Sequence, residues 1–402
     1  MKLKFDPLFT ARALVLLEII ALSVSTAATV VVEILFFLTV LGFGPLRQRL
    51  FAGLKQPMVA MALVMYAMVG LCMVYSVAPF SEALDMWGSW RKYLMVPFVV
   101  ALYDDPRWKH RFALVFIGLM TLAGIISLAG YLFDFTIYHK FPPGIVVDNH
   151  ATQGMFFSAA VFTCMVLLRF PTDIPGPPKW TLWAASLILT ISIFFVTSGR
   201  SGYLAFMVYA VLLVLWSTQG KKRVVLAAVV PMIILTGLMI SPVAKDRIKM
   251  GLSEMQTYEQ DAQVTSMGVR VIWWKNTVTL LQKMEHPLLG YGTSGFETAY
   301  SRQVAGQKGW QGKPTTDPHN QFLKIWVEHG LIGLMIFLLF IGSFFLQKAP
   351  KPFYYLGIGT LLAWCTTSMF SGHFTTFQDG RFLLIWTSVM LGAAPPKTRS
   401  GW

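Results

Sequence analysis

The sequence is poor in cysteine and in charged residues. Its 402 residues include only 3 cysteines, and each of these (Cys72, Cys164 and Cys365) lies within an apolar run. A disulfide framework or a CxxC metal or redox site is therefore not expected. Charged residues make up only 13% of the chain, whereas hydrophobic residues make up 55%. This balance excludes an ordinary soluble globular protein and predicts an all-α polytopic membrane protein.

Several motifs that would carry chemistry are also absent. The chain has no Gly-x-x-x-x-Gly-Lys-Ser/Thr loop, so direct nucleotide hydrolysis is not expected. It has no His-Glu-x-x-His pair and no Asp-x-Asp pair on a predicted outward loop, so neither a metal ion nor another cofactor is predicted. The net charge of +14 is spread one to three residues at a time between apolar runs, which argues against nucleic acid as a partner.

Twelve apolar stretches are long enough, or nearly long enough, to cross a bilayer, which takes about 17 to 25 residues. Short loops on one side of these stretches carry roughly 18 Lys and Arg residues, against roughly 5 on the other side, so both termini are predicted to be cytoplasmic. The stretches run approximately over 11–26, 28–45, 57–77, 88–103, 111–132, 152–169, 180–197, 201–218, 224–241, 331–347, 353–371 and 381–395.

One long polar stretch interrupts this pattern and organises the chain. We predict nine transmembrane helices in residues 1–240, a mainly helical insertion in 241–330, and three more helices with a cytoplasmic tail in 331–402. Because nine spans precede it, the insertion is expected to face outward. The chemistry should then lie where the insertion meets the membrane.

Two glutamates lie inside the first predicted hairpin. An ionised Glu18 or Glu33 would cost several kcal/mol there unless it were paired or protonated. Such residues are candidates for function, but both also lie near the ends of short spans. Snorkelling to the surface, or capping of a neighbouring helix, is the favoured interpretation.

His319 is the strongest candidate for catalysis. Asp317 followed by Pro318 is typical of an N-cap and a first helical residue, which would put His319 and Asn320 in the first turn of a helix ending at Gly330. The positive end of the helix dipole disfavours an imidazolium, so His319 would stay neutral and could accept a proton. A histidine that merely caps or donates a hydrogen bond remains an equal alternative.

Two arginines are candidates for binding an anion. Arg200 follows Ser198 and Gly199 in a small-residue turn between apolar runs, and its planar fork suits a pair of phosphate oxygens. Arg270 opens a second helix that carries two tryptophans. For Arg200 the alternative is a side chain that snorkels to the interface.

Other polar residues on the predicted outward side are weaker candidates. The Gly290-Tyr291-Gly292 turn could bind an anion with its N–H groups, but a tight turn that feeds the next element explains it at least as well. Arg91 and Asp379 add charge on the same side. Each is more typical of an interfacial residue than of a catalytic one.

At these residues the chain resembles the O-antigen ligase family, which shares a membrane domain with O-antigen polymerases and pilin oligosaccharyltransferases. The resemblance covers roughly the second half of the chain. It is carried by Ser198-Gly199-Arg200, Arg270 with its Trp-containing helix, Gly290-Tyr291-Gly292, and His319-Asn320 with the tail Glu328-x-Gly330-Leu331-Ile332-Gly333.

The resemblance implies an inverting, metal-independent glycosyltransferase of the bacterial inner membrane, with its site on the periplasmic side. It would transfer a polysaccharide from undecaprenyl diphosphate to lipid A-core. His319 would be the general base, and Arg200 and Arg270 would bind the diphosphate. The possible supporting residues are Asn320, Tyr291, Gly292, Ser198, Arg91 and Asp379.

Alternatives remain within and outside this chemistry. A polymerase or a protein O-oligosaccharyltransferase would differ only in its acceptor, and polymerases tend to carry two long outward loops where this chain has one. A transporter or flippase of an anionic lipid would also use about twelve spans, but such proteins usually have two related halves. The oligomeric state is not predicted.

Overall fold

Every regular element in the described part of the chain is a helix. The computed structural model describes residues 5–137, 141–246, 249 and 266–393, and the all-α prediction is confirmed for these ranges. The first half contains α1 (Pro7–Val24), α2 (Thr26–Gly42), α3 (Gly44–Gly53), α4 (Pro57–Leu71), α5 (Phe80–Ser89), α6 (Met95–Val100) and α7 (Pro106–Leu132). The remainder contains α8 (His150–Arg169), α9 (Lys179–Phe195), α10 (Arg200–Ser217), α11 (Gly220–Ile240), α12 (Ser266–Gln282), α13 (Gly295–Val304), α14 (Gln321–Phe344), α15 (Lys351–Thr367) and α16 (Phe377–Leu391). Two short 3-10 helices cover Trp90–Leu94 and Gly309–Gly312.

Six of these helices are long and apolar enough to cross a membrane, namely α1, α7, α8, α10, α11 and α14. A seventh span is possible if α2 and α3, which bend by 97° at their junction, are counted together. All twelve predicted stretches contain helix, although the one at 88–103 is broken by the 3-10 helix between α5 and α6. The polytopic helical architecture is therefore supported, whereas the count of twelve spans stays a prediction.

The bundle is centred on α8. Of its membrane-length window, 83% is buried, and it packs against α9 and α10. Gly154 of α8 faces Gly202 of α10 so closely that a Cβ on Gly202 would lie 2.7 Å from the Gly154 Cα. This contact between backbones fixes the end of α10 that carries Arg200.

A second, smaller core lies at one end of the bundle. It joins α12, α13 and the first half of α14, and its buried members are Leu280, Phe296, Ala299, Tyr300, Val304 and Val327. We call this end of the bundle the insertion end, because residues 266–320 lie there. The apolar spacing of α12 and α13 serves this small core rather than the membrane.

The two glutamates of the first hairpin do not snorkel. Glu18 is 0% exposed and Glu33 is 2% exposed, and Arg381 of α16 donates to Glu33 Oε2 over 3.3 Å. The favoured sequence interpretation was therefore wrong. A carboxylate within a bundle needs a charged partner when it cannot reach water, and for Glu33 that partner comes from the far end of the chain.

Candidate functional site

The turn that carries His319 differs from the predicted one. Asn320, not Asp317, is the N-cap of α14, since its Oδ1 accepts from the N–H groups of Phe322 and Leu323, each over 3.0 Å. The Asp317 carboxylate instead accepts from the His319 N–H at 2.6 Å, which holds His319 in a left-handed conformation with φ of 53°. His319 therefore lies outside the helix, at its positive end.

Gly330 interrupts α14 as predicted. Its φ of 64° and ψ of −167° are not helical, and a Cβ there would lie 2.2 Å from the Leu288 carbonyl oxygen. Only glycine adopts this conformation without strain. The break separates the half of α14 that follows His319 from the half that continues to Phe344.

Helix α12 clamps the His319 turn with two adjacent tryptophans. The Trp273 ring stacks on the imidazole, with ring centroids 5.1 Å apart and planes inclined by 17°. Trp274 Nε1 donates to the Pro318 carbonyl oxygen over 2.9 Å. Arg270 lies three and four residues before them, hence on the same helix face. The tryptophans of the motif therefore position the histidine, and Arg270 lies on the side that faces it.

The segment between α15 and α16, which we call the 368–376 loop, packs on the other side of the turn. The Gln321 N–H donates to the Ser368 carbonyl oxygen over 2.9 Å, and the Thr375 hydroxyl donates to Gln321 Oε1 over 3.3 Å. A Cβ on Gly372 would lie 2.9 Å from Asp317 Oδ2. The start of α14 is thus held between α12 and this loop.

A buried polar network supports the 368–376 loop from inside the bundle. Lys92, which is 1% exposed, donates from Nζ to the carbonyl oxygens of Thr375 and, over 3.0 Å, Thr376. His373 Nδ1 lies 2.9 Å from Asp379 Oδ2, and Asp379 is 4% exposed. Asp379 was expected at the interface; it is instead buried, because His373 supplies its partner.

The predicted interfacial position of Arg91 is also only partly right. Arg91 is half-buried in the 3-10 helix between α5 and α6, and its Nη1 donates to the Gly88 carbonyl oxygen over 3.3 Å. Among the described contacts it adjoins Lys92 rather than His319.

The surroundings of His319 favour its neutral form. Burial is the largest effect and lowers the pKa of His319 below its usual value of 6.5; the Asp317 carboxylate raises it, and the positive charges of Arg270, Lys324 and His373 lower it further. The direction matches the prediction from the helix dipole, but burial leads. Lys324 was not among the predicted site residues, although its position four residues after Asn320 puts it in the first turns of α14.

Arg200 lies at the same end of the bundle as His319. Helices α10 and α15 run antiparallel: Tyr209 lies 3.4 Å from the Thr360 hydroxyl, and farther along Trp216 stacks on Tyr355. From the Tyr209–Thr360 contact, Arg200 lies about 13 Å back toward the start of α10. Ser368 lies about 12 Å from the same contact, forward along the direction of α15. The two positions are therefore level, and Ser368 is the residue that holds Gln321.

Ser198 and Gly199 anchor the Arg200 turn to α8. The Ser198 N–H donates to His150 Nδ1 over 3.3 Å, and the Ser198 hydroxyl lies 3.1 Å from the same nitrogen. A Cβ on Gly199 would lie 2.4 Å from the His150 carbonyl oxygen. Ser198 and Gly199 thus contact α8, whereas the His319 turn contacts α12 and the 368–376 loop.

The Gly290-Tyr291-Gly292 turn is used for packing rather than as an anion cradle. The N–H of Tyr291 donates to the Val327 carbonyl oxygen over 2.9 Å. The N–H of Gly292 donates to the Glu328 carbonyl oxygen over 2.7 Å. Both donors thus satisfy carbonyl groups that the break at Gly330 leaves without helical partners. The tight-turn alternative describes this segment, and the positive φ of 76° and 83° at its two glycines explains their spacing.

Comparisons with known proteins agree with these motifs. Residues 185–338 match the family model described as O-Antigen ligase. An uncharacterized protein of Haemophilus influenzae is 28% identical over 202 residues, which cover 48% of this chain and 49% of that protein. An O-antigen ligase of Salmonella typhimurium is 21% identical over 299 residues, which cover 71% of this chain and 70% of that protein. The chain therefore spans about half the length of the first relative and more of the second.

The matched region holds the main site candidates of the sequence analysis, although Arg91 and Asp379 lie outside it. Arg200, Arg270 and His319 all fall within residues 185–338, as do the glycine turn and the tryptophans of α12. The 368–376 loop and Lys92 fall outside it. The family match, the Salmonella relative and the shared motifs together support a relation of this chain to the O-antigen ligase family.

Proposed function

We propose that this protein is a ligase that transfers O-antigen polysaccharide from undecaprenyl diphosphate to the lipid A-core oligosaccharide. The observation that carries the proposal is the placement of His319. A neutral imidazole lies at the positive end of α14, with the charge of Arg270 acting on it and Arg200 level with it across the bundle. A base with one cation acting on it, and a second cation at the same end of the bundle, suit a reaction in which a hydroxyl attacks and an anion leaves.

In the proposed mechanism His319 removes the proton from an acceptor hydroxyl of lipid A-core. The hydroxyl oxygen bonds to the anomeric carbon of the donor as the bond between that carbon and the diphosphate oxygen breaks. Undecaprenyl diphosphate leaves with the bonding electrons, and Arg200 and Arg270 offset its charge. A single displacement inverts the anomeric carbon, and all these roles are filled by side chains of the protein without a metal ion.

The proposed location follows from the charge of the loops. The excess of Lys and Arg on one side supports a cytoplasmic location for both termini. The insertion end then faces the periplasm from the inner membrane. There the site can meet a lipid-linked donor and a lipid acceptor that share one leaflet.

The test is ligation with purified components. The protein in EDTA without nucleotide is mixed with undecaprenyl-diphosphate-linked glycan and lipid A-core, and glycan-bearing lipid A is followed on a gel. We expect product from the wild type and from His286→Ala, which removes an exposed histidine of the insertion, but not from His319→Ala. Near-normal ligation by a correctly inserted His319→Ala protein would refute the role of His319.

The same assay separates the alternatives by their products. Elongation of the donor glycan would indicate a polymerase, and transfer to a pilin-like protein would indicate a protein O-oligosaccharyltransferase. Movement of the donor across proteoliposomes with no covalent product would indicate a transporter. Each of these outcomes would replace the proposed acceptor or the proposed reaction.

A further inference from the structure

A cavity of about 480 Å³ opens beside the Arg200 turn. It lies between the ends of α7, α8 and α10 and the residues that follow α11, and its volume is typical of a site for a small organic ligand. Its lining includes Tyr131, Asp134, Pro143, His150, Ser198 and Asp246. None of these residues has a role in the mechanism described above.

The lining combines hydrogen-bonding groups with small apolar surfaces. Asp134 and Asp246 are exposed, so both carboxylates can accept hydrogen bonds from a ligand. His150 Nδ1 accepts the Ser198 N–H, which places the proton of the neutral imidazole on Nε2. Tyr131 and Pro143 add ring surfaces. Carboxylates, an imidazole and apolar rings together match the hydroxyl groups and the C–H face of a sugar ring.

The charge of the cavity argues against a phosphate inside it. Two carboxylates would repel a diphosphate, whereas Arg200, two residues after Ser198, would attract it. An arginine directly beside an acidic, hydroxyl-accepting cavity matches the order of groups in a sugar diphosphate. The phosphates would lie at the arginine, and the sugar would lie in the cavity.

The cavity also adjoins lipid-facing surface. Leu132 and Phe133, next to Asp134 in the chain, are 72% and 77% exposed, as expected for side chains that contact lipid tails or their interface. A ligand bound here would therefore lie where the headgroup of a membrane lipid lies. Both the proposed donor and the proposed acceptor carry their sugars at that level.

We propose that this cavity is a saccharide subsite, in which Asp134 and Asp246 accept hydroxyl groups of a neutral or amino sugar. The proposal rests on the proposed function, because it takes the sugar from one of the two lipid substrates. The carboxylates select against sugars with acidic groups.

The test measures equilibrium binding to the full-length protein in nanodiscs. The probes are undecaprenyl diphosphate, undecaprenyl diphosphate carrying one N-acetylglucosamine, and lipid A-core. The variants are Asp134→Asn with Asp246→Asn, Arg200→Ala, and the control Glu285→Gln. Glu285 is a matched control because it lines a separate cavity of about 400 Å³ at the insertion end.

If the donor sugar occupies the cavity, wild-type protein binds the glycosylated lipid more tightly than the bare lipid. The double variant weakens this preference about tenfold, because an amide oxygen accepts a weaker hydrogen bond than a charged carboxylate does, and it still binds the bare lipid normally. If the double variant instead loses affinity only for lipid A-core, the saccharide belongs to the acceptor. If the double variant also loses affinity for the bare lipid, Asp134→Asn and Asp246→Asn are measured separately. Each must then lose part of the additional affinity that the sugar provides.

Unchanged binding of all three probes by the double variant would overturn the subsite, as would an equal effect of Glu285→Gln. The Arg200→Ala protein tests the proposed function separately, since it should weaken both undecaprenyl lipids alike. If Arg200→Ala binds both normally, the proposed diphosphate role fails. In that case the subsite is still tested by whether the double variant loses the preference for the glycosylated lipid over the bare lipid.

Discussion

Two substitutions beside His319 should shift its pKa in opposite directions. The Asp317 carboxylate raises the pKa of His319, and the Lys324 ammonium lowers it. Asp317→Asn should therefore lower the pKa and Lys324→Gln should raise it. The asparagine can still accept the His319 N–H, so the turn keeps its hydrogen bond.

The size of each shift follows from burial and screening. A charge within about 4 to 6 Å of a titrating group moves its pKa by about one unit or more when both are shielded from water. His319 is only half-buried, so water weakens the effect of each neighbouring charge on its pKa, and the test depends on the opposite directions of the two shifts. His319 acts as a base only when neutral, so its rate falls about tenfold for each pH unit below its pKa.

The assay is the pH dependence of kcat/KM for ligation between about pH 4.5 and 8, which reports the pKa of the free enzyme. The acid limb should move to lower pH in Asp317→Asn and to higher pH in Lys324→Gln. Lys283→Gln and Glu297→Gln, which change exposed charges elsewhere in the insertion, should leave it in place. Shifts of the same sign in both variants, or none, would mean that the limb does not report His319.

Three further outcomes follow from the geometry. Gly330→Ala should destabilise the protein by about 2 kcal/mol or more, whereas Gly342→Ala, with open space around the added methyl group, should not; thermal unfolding in detergent measures both. Trp274→Phe loses the hydrogen bond to Pro318, so we expect kcat to fall up to about fivefold, equivalent to about 1 kcal/mol; an unchanged kcat would show that the clamp is dispensable. Arg270→Lys keeps the charge but loses the planar fork, so the KM for the donor should rise about tenfold, and an unchanged KM would argue against a bidentate contact.

The membrane fold could be predicted from the sequence because its signal is local. An apolar run and the basic residues that follow it identify a span without knowledge of its neighbours. Recognition of spans from apolar runs fails where one predicted span consists of several short helices, as between Phe80 and Val100. The position of such a break depends on contacts with distant residues, which an apolar run does not reveal. The same limit applies to helix starts. Asp317-Pro318 and Asn320 are both acceptable caps in sequence, and the contact of Asp317 with the His319 N–H decides between them.

Of the candidate site, only the motif residues could be proposed from the sequence, and their roles stay predictions. His319, Arg200 and Arg270 stand out as rare polar groups among apolar residues. Their partners do not stand out in the sequence. The 368–376 loop contacts the His319 turn, and Lys92 contacts that loop, only because distant segments of the chain pack together. Asp379 was taken as interfacial for the same reason, since His373 can be recognised as its partner only in three dimensions.

These distant partners bear on where the activity resides. The family match covers residues 185–338, yet the N–H of Gln321 is held by Ser368 and the loop that contains Ser368 is held by Lys92. Both holding residues lie outside the matched range. A fragment limited to the matched range would keep the base and both arginines but lose one side of the clamp on the His319 turn. If His319 and the two arginines act as proposed, the motif supplies the reactive groups and the remainder of the bundle holds them in place.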